Sequence, residues 1–169
     1  EVRTRARAAR TAFDAAASAH GTTAHVYYAG KALLTTEVAR WVTEEGLALD
    51  VCSAGELAVA LAAGVDPRRL GYHGNNKSVP EIERAVEVGV ASIIIDSDVE
   101  IERVAAAAAA AGVIQSVRLR VNSGVHAETH DFLATAHEDQ KFGFTLTQAP
   151  AAVARIRAHA SLDFGGLHC

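Results

Sequence analysis

A lysine follows the first apolar, strand-like stretch of this chain. Lys31 comes directly after Val26-Tyr27-Tyr28-Ala29-Gly30, where a buried strand gives way to a loop. Such a lysine often buries its stem, keeps its ammonium in water and has no chemical role. At an apolar mouth close to other cations, however, the ammonium is destabilised, and the neutral amine becomes available as a nucleophile. The residue types therefore leave two interpretations open, a surface lysine or a Schiff-base nucleophile.

Polar side chains also end the other apolar stretches. In chain order the candidates are Lys31, Asp50, His73, Arg120 and His168. Asp50 either holds the proton of the lysine or caps the helix that follows. Arg120 alternates with apolar residues, so its guanidinium needs a partner, such as a cofactor oxygen, Asp50 or Asp96. These residues are the expected members of a site.

Strand-like and helix-like stretches alternate along the chain. The predicted strands are residues 24–29, 47–52, 70–73, 91–96, 117–122 and 164–169. The predicted helices are residues 2–17, 35–45, 54–63, 79–88, 98–111 and 147–158. Fully apolar strands between helices are typical of a parallel sheet that helices cover.

Two α/β architectures fit this alternation, an open doubly wound sheet and a (β/α)8 barrel. A dinucleotide-binding doubly wound sheet would carry a glycine-rich turn after its first strand, and Lys31-Ala32-Leu33 stands there instead. About six βα units, with polar residues where the strands end, favour an incomplete barrel that lacks two strands. Catalytic residues of such barrels gather at the carboxyl ends of the strands.

The polar segments between these elements have simpler interpretations. Gly74-Asn75-Asn76-Lys77-Ser78 is expected to be a turn that caps the helix beginning near Val79, and Ser97-Asp98-Val99-Glu100 is expected to cap the next helix. The longest break, residues 123–140, is predicted to be a functional loop at the rim of the barrel. Its three histidines, His126, His130 and His137, match no metal-binding spacing, so we expect them to be solvated and expect no metal.

Composition narrows the class of protein. The 169 residues are 50% hydrophobic, with a formal net charge of −4, which is typical of a soluble globular chain without a nucleic-acid surface. No apolar run is long enough for a membrane span. Cys52 and Cys169 are predicted to be buried free thiols, as in a reducing cytoplasm. The absence of an initiator methionine predicts a fragment of a longer protein.

Several motifs, taken together and in order, resemble the fold-type III pyridoxal-phosphate decarboxylases, and among them the diaminopimelate decarboxylases. The stretches are VYYAGKA at 26–32, LDVCSAGEL at 49–57, YHGNNKS at 72–78, IDSDVEIERV at 95–104, THDFLATAHEDQKFGF at 129–144 and GGLHC at 165–169. HGNNKS followed by KFGF is the most specific part of the resemblance. The resemblance implies a partial pyridoxal-phosphate-binding barrel domain of the alanine racemase-like type over residues 1–169, without the last barrel strands and the C-terminal β-domain.

The same resemblance implies a cofactor and a reaction. Lys31 would form the internal aldimine with pyridoxal 5′-phosphate, and Asp50, His73, Arg120 and His168 would line the cofactor. The reaction would be decarboxylation of meso-2,6-diaminopimelate to L-lysine, the last step of lysine biosynthesis. A homodimer is expected for the whole protein, and the fragment itself is expected to be inactive.

Three other functions stay open at this stage. The first is a decarboxylase of another basic amino acid (ornithine, arginine or carboxynorspermidine), against which the HGNNKS segment argues. The second is a racemase on the same barrel, which would continue KANAYG after the lysine, whereas Ala32-Leu33-Leu34 follows here. The third is a non-catalytic pyridoxal-phosphate-binding protein.

Overall fold

The first half of the chain alternates three helices with three strands. The computed structural model describes residues 1–123 and 142–169, and these form two compact units, Glu1–Tyr72 and His73–Cys169. The elements of the first unit are α1 (Val2–Ala19), β1 (Tyr27–Ala29), α2 (Thr36–Glu44), β2 (Ala48–Val51), α3 (Ala54–Ala62) and β3 (Leu70–Tyr72). Short 3₁₀ turns, Gly30–Ala32 and Pro67–Arg69, follow β1 and precede β3.

The second unit continues the alternation. Its elements are α4 (Val79–Val88), β4 (Ser92–Ile95), α5 (Asp98–Ala111), β5 (Gln115–Asn122), β6 (Phe144–Thr145), α6 (Ala149–Ala158) and β7 (Leu162–His168). The predicted alternation is confirmed, and α4 and α5 have the predicted bounds. Strand β6 was not predicted, because its two residues carry no periodic pattern.

The strands of the first unit are parallel and expose their two faces differently. Leu49 and Val51 of β2 have no exposed surface and alternate with Ala48 and Asp50, which are half-buried. Helix α2 packs on β2. In register, Ala29 of β1 pairs with Asp50, and Asp50 pairs with Gly71 of β3. One face of this sheet is therefore core, and the other offers polar groups.

Strand β5 organises the second unit in the same way. It pairs in parallel with β4, with β7 along most of its length, and with β6 at its carboxyl end. Val117, Leu119 and Val121 are buried, whereas Arg118 and Arg120 between them are not. The alternation predicted for Arg120 is confirmed.

Helix termini follow the predicted signals with one correction. Four glycines end or follow helices with positive φ: Gly46, Gly64, Gly89 and Gly112. Ser78 and Glu81 form a capping box at the start of α4, so residues 74–78 do lead into a capped helix. Ser97 is the N-cap residue of α5 but makes no side-chain cap bond, and the Glu100 amide donates to the Ser97 carbonyl instead.

The cysteine prediction was half right. Both cysteines are free thiols, but Cys52, just past β2, is only half-buried, and Cys169, just past β7, is exposed. In the described ranges, no helix combines the length and the apolarity that a membrane span requires. Residues 124–141, which include His126, His130 and His137, lie outside the described part of the chain.

Candidate functional site

Lys31 lies in the 3₁₀ turn that follows β1. The turn begins at the buried Gly30, and the Tyr28 hydroxyl donates a hydrogen bond to the Leu33 carbonyl 2.9 Å away, which closes it. Lys31 itself is exposed. A side chain at position 30 would place its Cβ 2.7 Å from the Asp50 carbonyl oxygen, so only glycine lets the turn approach β2 this closely. The Lys31 amine is therefore accessible in the turn at the carboxyl end of β1.

Asp50 lies one strand away and faces the exposed side of the sheet. Its carboxylate rests against Gly71, where any Cβ would overlap Asp50 Oδ1 and would contact the Tyr27 ring at 3.5 Å. The absence of a side chain at Gly71 therefore makes the room that Asp50 and Tyr27 occupy. The N-cap residue of α3 is Ser53, whose Oγ accepts from the Glu56 amide at 3.2 Å.

A second carboxylate lies beside the lysine turn. Glu56 Oε2 accepts the Cys52 amide at 2.8 Å and would be 3.3 Å from a Cβ at Gly30. Burial raises the pKa of the Cys52 thiol, and the nearby Glu56 carboxylate adds to the rise, whereas the Lys31 ammonium opposes it. We did not predict Glu56 as a site residue, although the Ser53-x-x-Glu56 spacing of a capping box was a visible signal.

Arg120 of β5 is fixed from two sides in the second unit. Its Nη1 donates to Asp96 Oδ1 at 2.9 Å, and its guanidinium lies 5.3 Å from the centre of the Phe142 ring. Asp96 Oδ2 accepts the Gly143 amide at 3.2 Å. Of the partners left open by the sequence, Asp96 is the one that the structure provides. The guanidinium is about 30% exposed, so part of it stays accessible to an anion.

His73 and His168 come together in the same unit. Their ring centroids are 6.0 Å apart and their planes are inclined by 41°. His73 directly follows β3, and His168 is the last residue of β7. Two imidazoles that are distant in sequence therefore share one neighbourhood, as expected for residues at the carboxyl ends of barrel strands.

Lys77 and Glu100 form a buried ion pair that the sequence did not reveal. Lys77 Nζ lies 2.9 Å from Glu100 Oε2, and only 2% and 3% of the two side chains are exposed. Burial lowers the pKa of Lys77, against the opposing effect of the Glu100 carboxylate. The two partners are 23 positions apart in the sequence, and each residue alone looks like part of a turn or a cap, so the pair was not predicted.

The predicted site residues therefore divide between the two units. The structure places Lys31 in the turn after β1 and Asp50 on the neighbouring strand β2 of the first unit, and it brings His73 close to His168 in the second. Among the described residues, no cluster of three His, Cys, Asp or Glu side chains has a geometry that could hold a metal ion.

Comparison with known proteins identifies the family. All 169 residues match the family model described as pyridoxal-dependent decarboxylase, pyridoxal binding domain. A diaminopimelate decarboxylase of Mycobacterium leprae is 55% identical over 154 residues, which are 90% of this chain and 33% of the relative. That of Corynebacterium efficiens is 46% identical over 155 residues, again 90% of this chain and 34% of the relative. The chain thus spans about one third of these relatives.

Solved structures agree on the fold. Diaminopimelate decarboxylase from Helicobacter pylori, complexed with L-lysine, has a TM-score of 0.81 at 26% identity and covers 85% of this chain and 37% of its own. The enzyme from M. jannaschii, in co-complex with L-lysine, has a TM-score of 0.77 at 28% identity over 86% of this chain and 34% of its own. The predicted fold class, an incomplete (β/α)8 barrel of the alanine racemase-like type, is confirmed.

Sequence motifs, alternating parallel strands and the match along the full chain lead to one family. The chain belongs to the pyridoxal-dependent decarboxylases, with residues 1–169 matching their pyridoxal binding domain.

Proposed function

We propose that the whole protein decarboxylates meso-2,6-diaminopimelate to L-lysine with pyridoxal 5′-phosphate, and that this chain holds the cofactor. The observation that carries the proposal is the 55% identity to a diaminopimelate decarboxylase over 90% of this chain. The L-lysine in two structurally similar enzymes supports the same reaction, since lysine is what remains when diaminopimelate loses one carboxylate.

We further propose Lys31 as the residue that binds the cofactor covalently. The chain has three lysines, Lys31, Lys77 and Lys141. Lys77 is buried, and its ammonium is engaged by the Gly74 carbonyl, the Ile94 carbonyl and Glu100, so it is unsuitable as a nucleophile. Lys141 lies outside the described residues. Lys31 is exposed at a strand end, as an amine that must meet an aldehyde requires.

The donor set fits this cofactor. The aldehyde of the cofactor reacts with an amine, its phosphate is bound by cations or backbone amides, and its aromatic ring packs against flat or polar side chains. Lys31, Arg120 and the imidazoles of His73 and His168 are of these types. The absence of a side chain at Gly71 lets the Asp50 carboxylate and the Tyr27 ring lie where a Cβ would otherwise be. As the resemblance implies, we propose that Asp50, His73, Arg120 and His168 contact the cofactor.

Each residue has a limited task in the proposed mechanism. Pyridoxal phosphate, when bound, accepts the electron pair that carbon dioxide leaves on the α-carbon. Lys31 would hold the cofactor through its neutral amine, and we assign the proton that its ammonium gives up to the Asp50 carboxylate on the neighbouring strand. Arg120, held by Asp96 and Phe142, presents a fixed cation to an anionic group.

The assignment of Lys31 is tested by trapping the bound cofactor. Borohydride reduction of the whole protein, followed by peptide mapping with mass spectrometry, should place the added mass on the Lys31 peptide. The peptides that contain Lys77 and Lys141 serve as internal controls. In Lys31→Ala the reducible cofactor and carbon dioxide release should both fall to background, because no other described lysine has an accessible amine. Cofactor that is still fixed to this variant would show that another residue binds it.

A substrate panel tests the choice of amino acid. Carbon dioxide release from meso-diaminopimelate should exceed release from ornithine, arginine and carboxynorspermidine. A preference for one of the other three would replace the proposed substrate and leave the cofactor assignment intact. Bound cofactor without amine release from any of them would instead indicate a non-catalytic carrier.

The setting of the enzyme is also a proposal. We propose a homodimer in the cytoplasm that acts on a small amino acid and binds neither nucleic acid nor membrane. The net charge of −4 supports this proposal, since nucleic-acid surfaces are basic. Sedimentation of the whole protein would test its dimeric state.

A further inference from the structure

Lys77 is a lysine whose hydrogen-bonding capacity is fully used inside the second unit. Its ammonium donates to the Gly74 carbonyl at 2.6 Å and to the Ile94 carbonyl at 2.7 Å, and it lies 2.9 Å from Glu100 Oε2. An ammonium has three N–H groups, and three acceptors surround this one. Lys77 therefore ties the turn after β3, the end of β4 and helix α5 to one point.

Glu100 connects Lys77 to the backbone of Asp96, just after β4. Its Oε2 also accepts the Asp96 amide at 2.8 Å, and its Oε1 lies 3.4 Å from the Lys77 amide, which donates to it. The backbone of Asp96 is thus held by a side chain that is itself held by a buried cation. Because both partners are almost fully buried, loss of one would leave an uncompensated charge in the interior.

Asp96 carries the connection to Arg120. Its carboxylate is 4% exposed, and its two oxygens accept from Arg120 Nη1 and from the Gly143 amide. Gly143 has φ +76°, and a Cβ there would lie 2.9 Å from the Arg120 carbonyl oxygen. Only glycine lets this segment close against Arg120, so the guanidinium is confined on several sides.

We propose that Lys77 and Glu100 are a buried positioning pair that fixes Asp96 and, through it, the guanidinium of Arg120. Neither member touches a ligand. The pair sets the angle and location of the one cation that the second unit presents for cofactor binding in the proposed function, and the inference rests on that function for its consequence. Its structural content, a restrained Arg120, does not depend on a cofactor.

The cofactor arm of the test is a double-mutant cycle on the whole protein. The dissociation constant of pyridoxal 5′-phosphate is measured from its absorbance and circular dichroism bands for wild type, Glu100→Gln, Arg120→Gln and the double variant. We expect Glu100→Gln to weaken binding by about tenfold or more in wild type, but by less than about twofold when Arg120 is already replaced. An equal effect in both backgrounds, or none in either, would overturn the positioning role.

The matched control is Glu102→Gln, on the same helix. Glu102 is 56% exposed and pairs with Arg155 on the surface, so its replacement removes the same charge without touching the buried pair. Cofactor affinity should change by less than about twofold. A loss as large as that of Glu100→Gln would show that the charge of α5, and not the buried pair, is responsible.

The second arm needs no cofactor. Phenylglyoxal modifies guanidinium groups, and its rate at Arg120 is followed by peptide mass spectrometry in the cofactor-free protein. We expect Glu100→Gln to raise this rate several-fold, and an unchanged rate would overturn the inference. If wild type bound no pyridoxal 5′-phosphate, the proposed function would be wrong. The rate of phenylglyoxal modification at Arg120 would still test the positioning role.

Folding is checked by thermal unfolding of each variant. If Glu100→Gln does not fold, Lys77→Met combined with Glu100→Gln replaces it in both arms, because this double variant leaves no buried charge unpaired. We expect it to fold and still to show the faster modification of Arg120, since the ties of Lys77 to Gly74 and Ile94 are lost. A folded double variant with wild-type rate and affinity would reduce the pair to a purely structural role.

Discussion

Single glycines decide where the polar groups of the first unit lie. Gly30 and Gly71 both lie against Asp50. Gly30 is next to its backbone carbonyl, whereas Gly71 is next to its carboxylate. A backbone atom cannot move without its strand, whereas a half-exposed carboxylate can rotate. Substitution at the two positions should therefore separate stability from site geometry.

Gly71→Ala is expected to weaken pyridoxal 5′-phosphate binding by about tenfold, because the new Cβ displaces a charged contact worth about 1.5 kcal/mol. The free energy of unfolding should fall by only about 1 kcal/mol, since Asp50 can turn away. Titration of the whole protein with cofactor and denaturant unfolding measure the two effects.

Gly55→Ala is the matched control for that substitution. Its Cβ would meet only Ser53 Oγ, at 3.9 Å, within helix α3. Alanine there should leave cofactor affinity unchanged and should stabilise the protein by up to about 1 kcal/mol. If Gly71→Ala bound cofactor as tightly as Gly55→Ala does, the proposed role of Asp50 would be wrong.

At the scale of elements, one half-buried acid connects two helices of the first unit. Glu45, at the end of α2, accepts from Arg7 Nε at 2.7 Å and from Arg3 Nε at 2.8 Å, both on α1. Arg10 of the same helix donates to the Gly46 carbonyl at 2.9 Å. Hydrogen bonds from Arg7 and Arg3 lower the pKa of Glu45 to about 2. Helix α1 is therefore attached mainly through arginines.

This attachment should depend on pH in the acid range. The folded-state pKa of Glu45 lies below its ordinary value of 4.5, so its stabilising contribution is complete above about pH 4.5 and is lost as the pH falls toward 2. Between pH 5 and pH 3, the free energy of unfolding should therefore fall more for wild type than for Glu45→Gln.

The neighbouring Glu44→Gln serves as the control for the pH experiment. Glu44 is 53% exposed and contacts only the exposed Arg3 among the ion pairs described for it. In Glu44→Gln, the free energy of unfolding should fall between pH 5 and pH 3 by almost as much as in wild type. An identical pH dependence in wild type and Glu45→Gln would contradict the attachment of α1 through this acid.

Local patterns predicted the elements well, because caps and periodicity act within a few residues. The Ser78 capping box begins α4 where expected, and α4 and α5 end at Val88 and Ala111 as their predicted bounds require. At Ser97 the predicted side-chain cap is absent: the Glu100 amide donates to the Ser97 carbonyl, and the Glu100 carboxylate binds Lys77 and the Asp96 amide. Among the proposed site residues, Lys31 and Asp50 follow from their place at strand ends, whereas the partner of Arg120 could be identified only from the fold.

At the scale of the whole molecule, the chain matches about one third of the relatives' length. We therefore expect residues 1–169 alone to release no carbon dioxide from meso-diaminopimelate, while the whole protein does. Release above that of the Lys31→Ala variant, measured under the same conditions, would show that the isolated chain suffices.

The two-residue rhythm of β5 has a consequence for how such a chain can evolve. Positions 117, 119 and 121 belong to the interior, and positions 118 and 120 between them do not. The positions that pack in the core and the positions that can carry chemistry thus alternate along one strand. Substitutions at positions 118 and 120 can accumulate while positions 117, 119 and 121 continue to hold the barrel together.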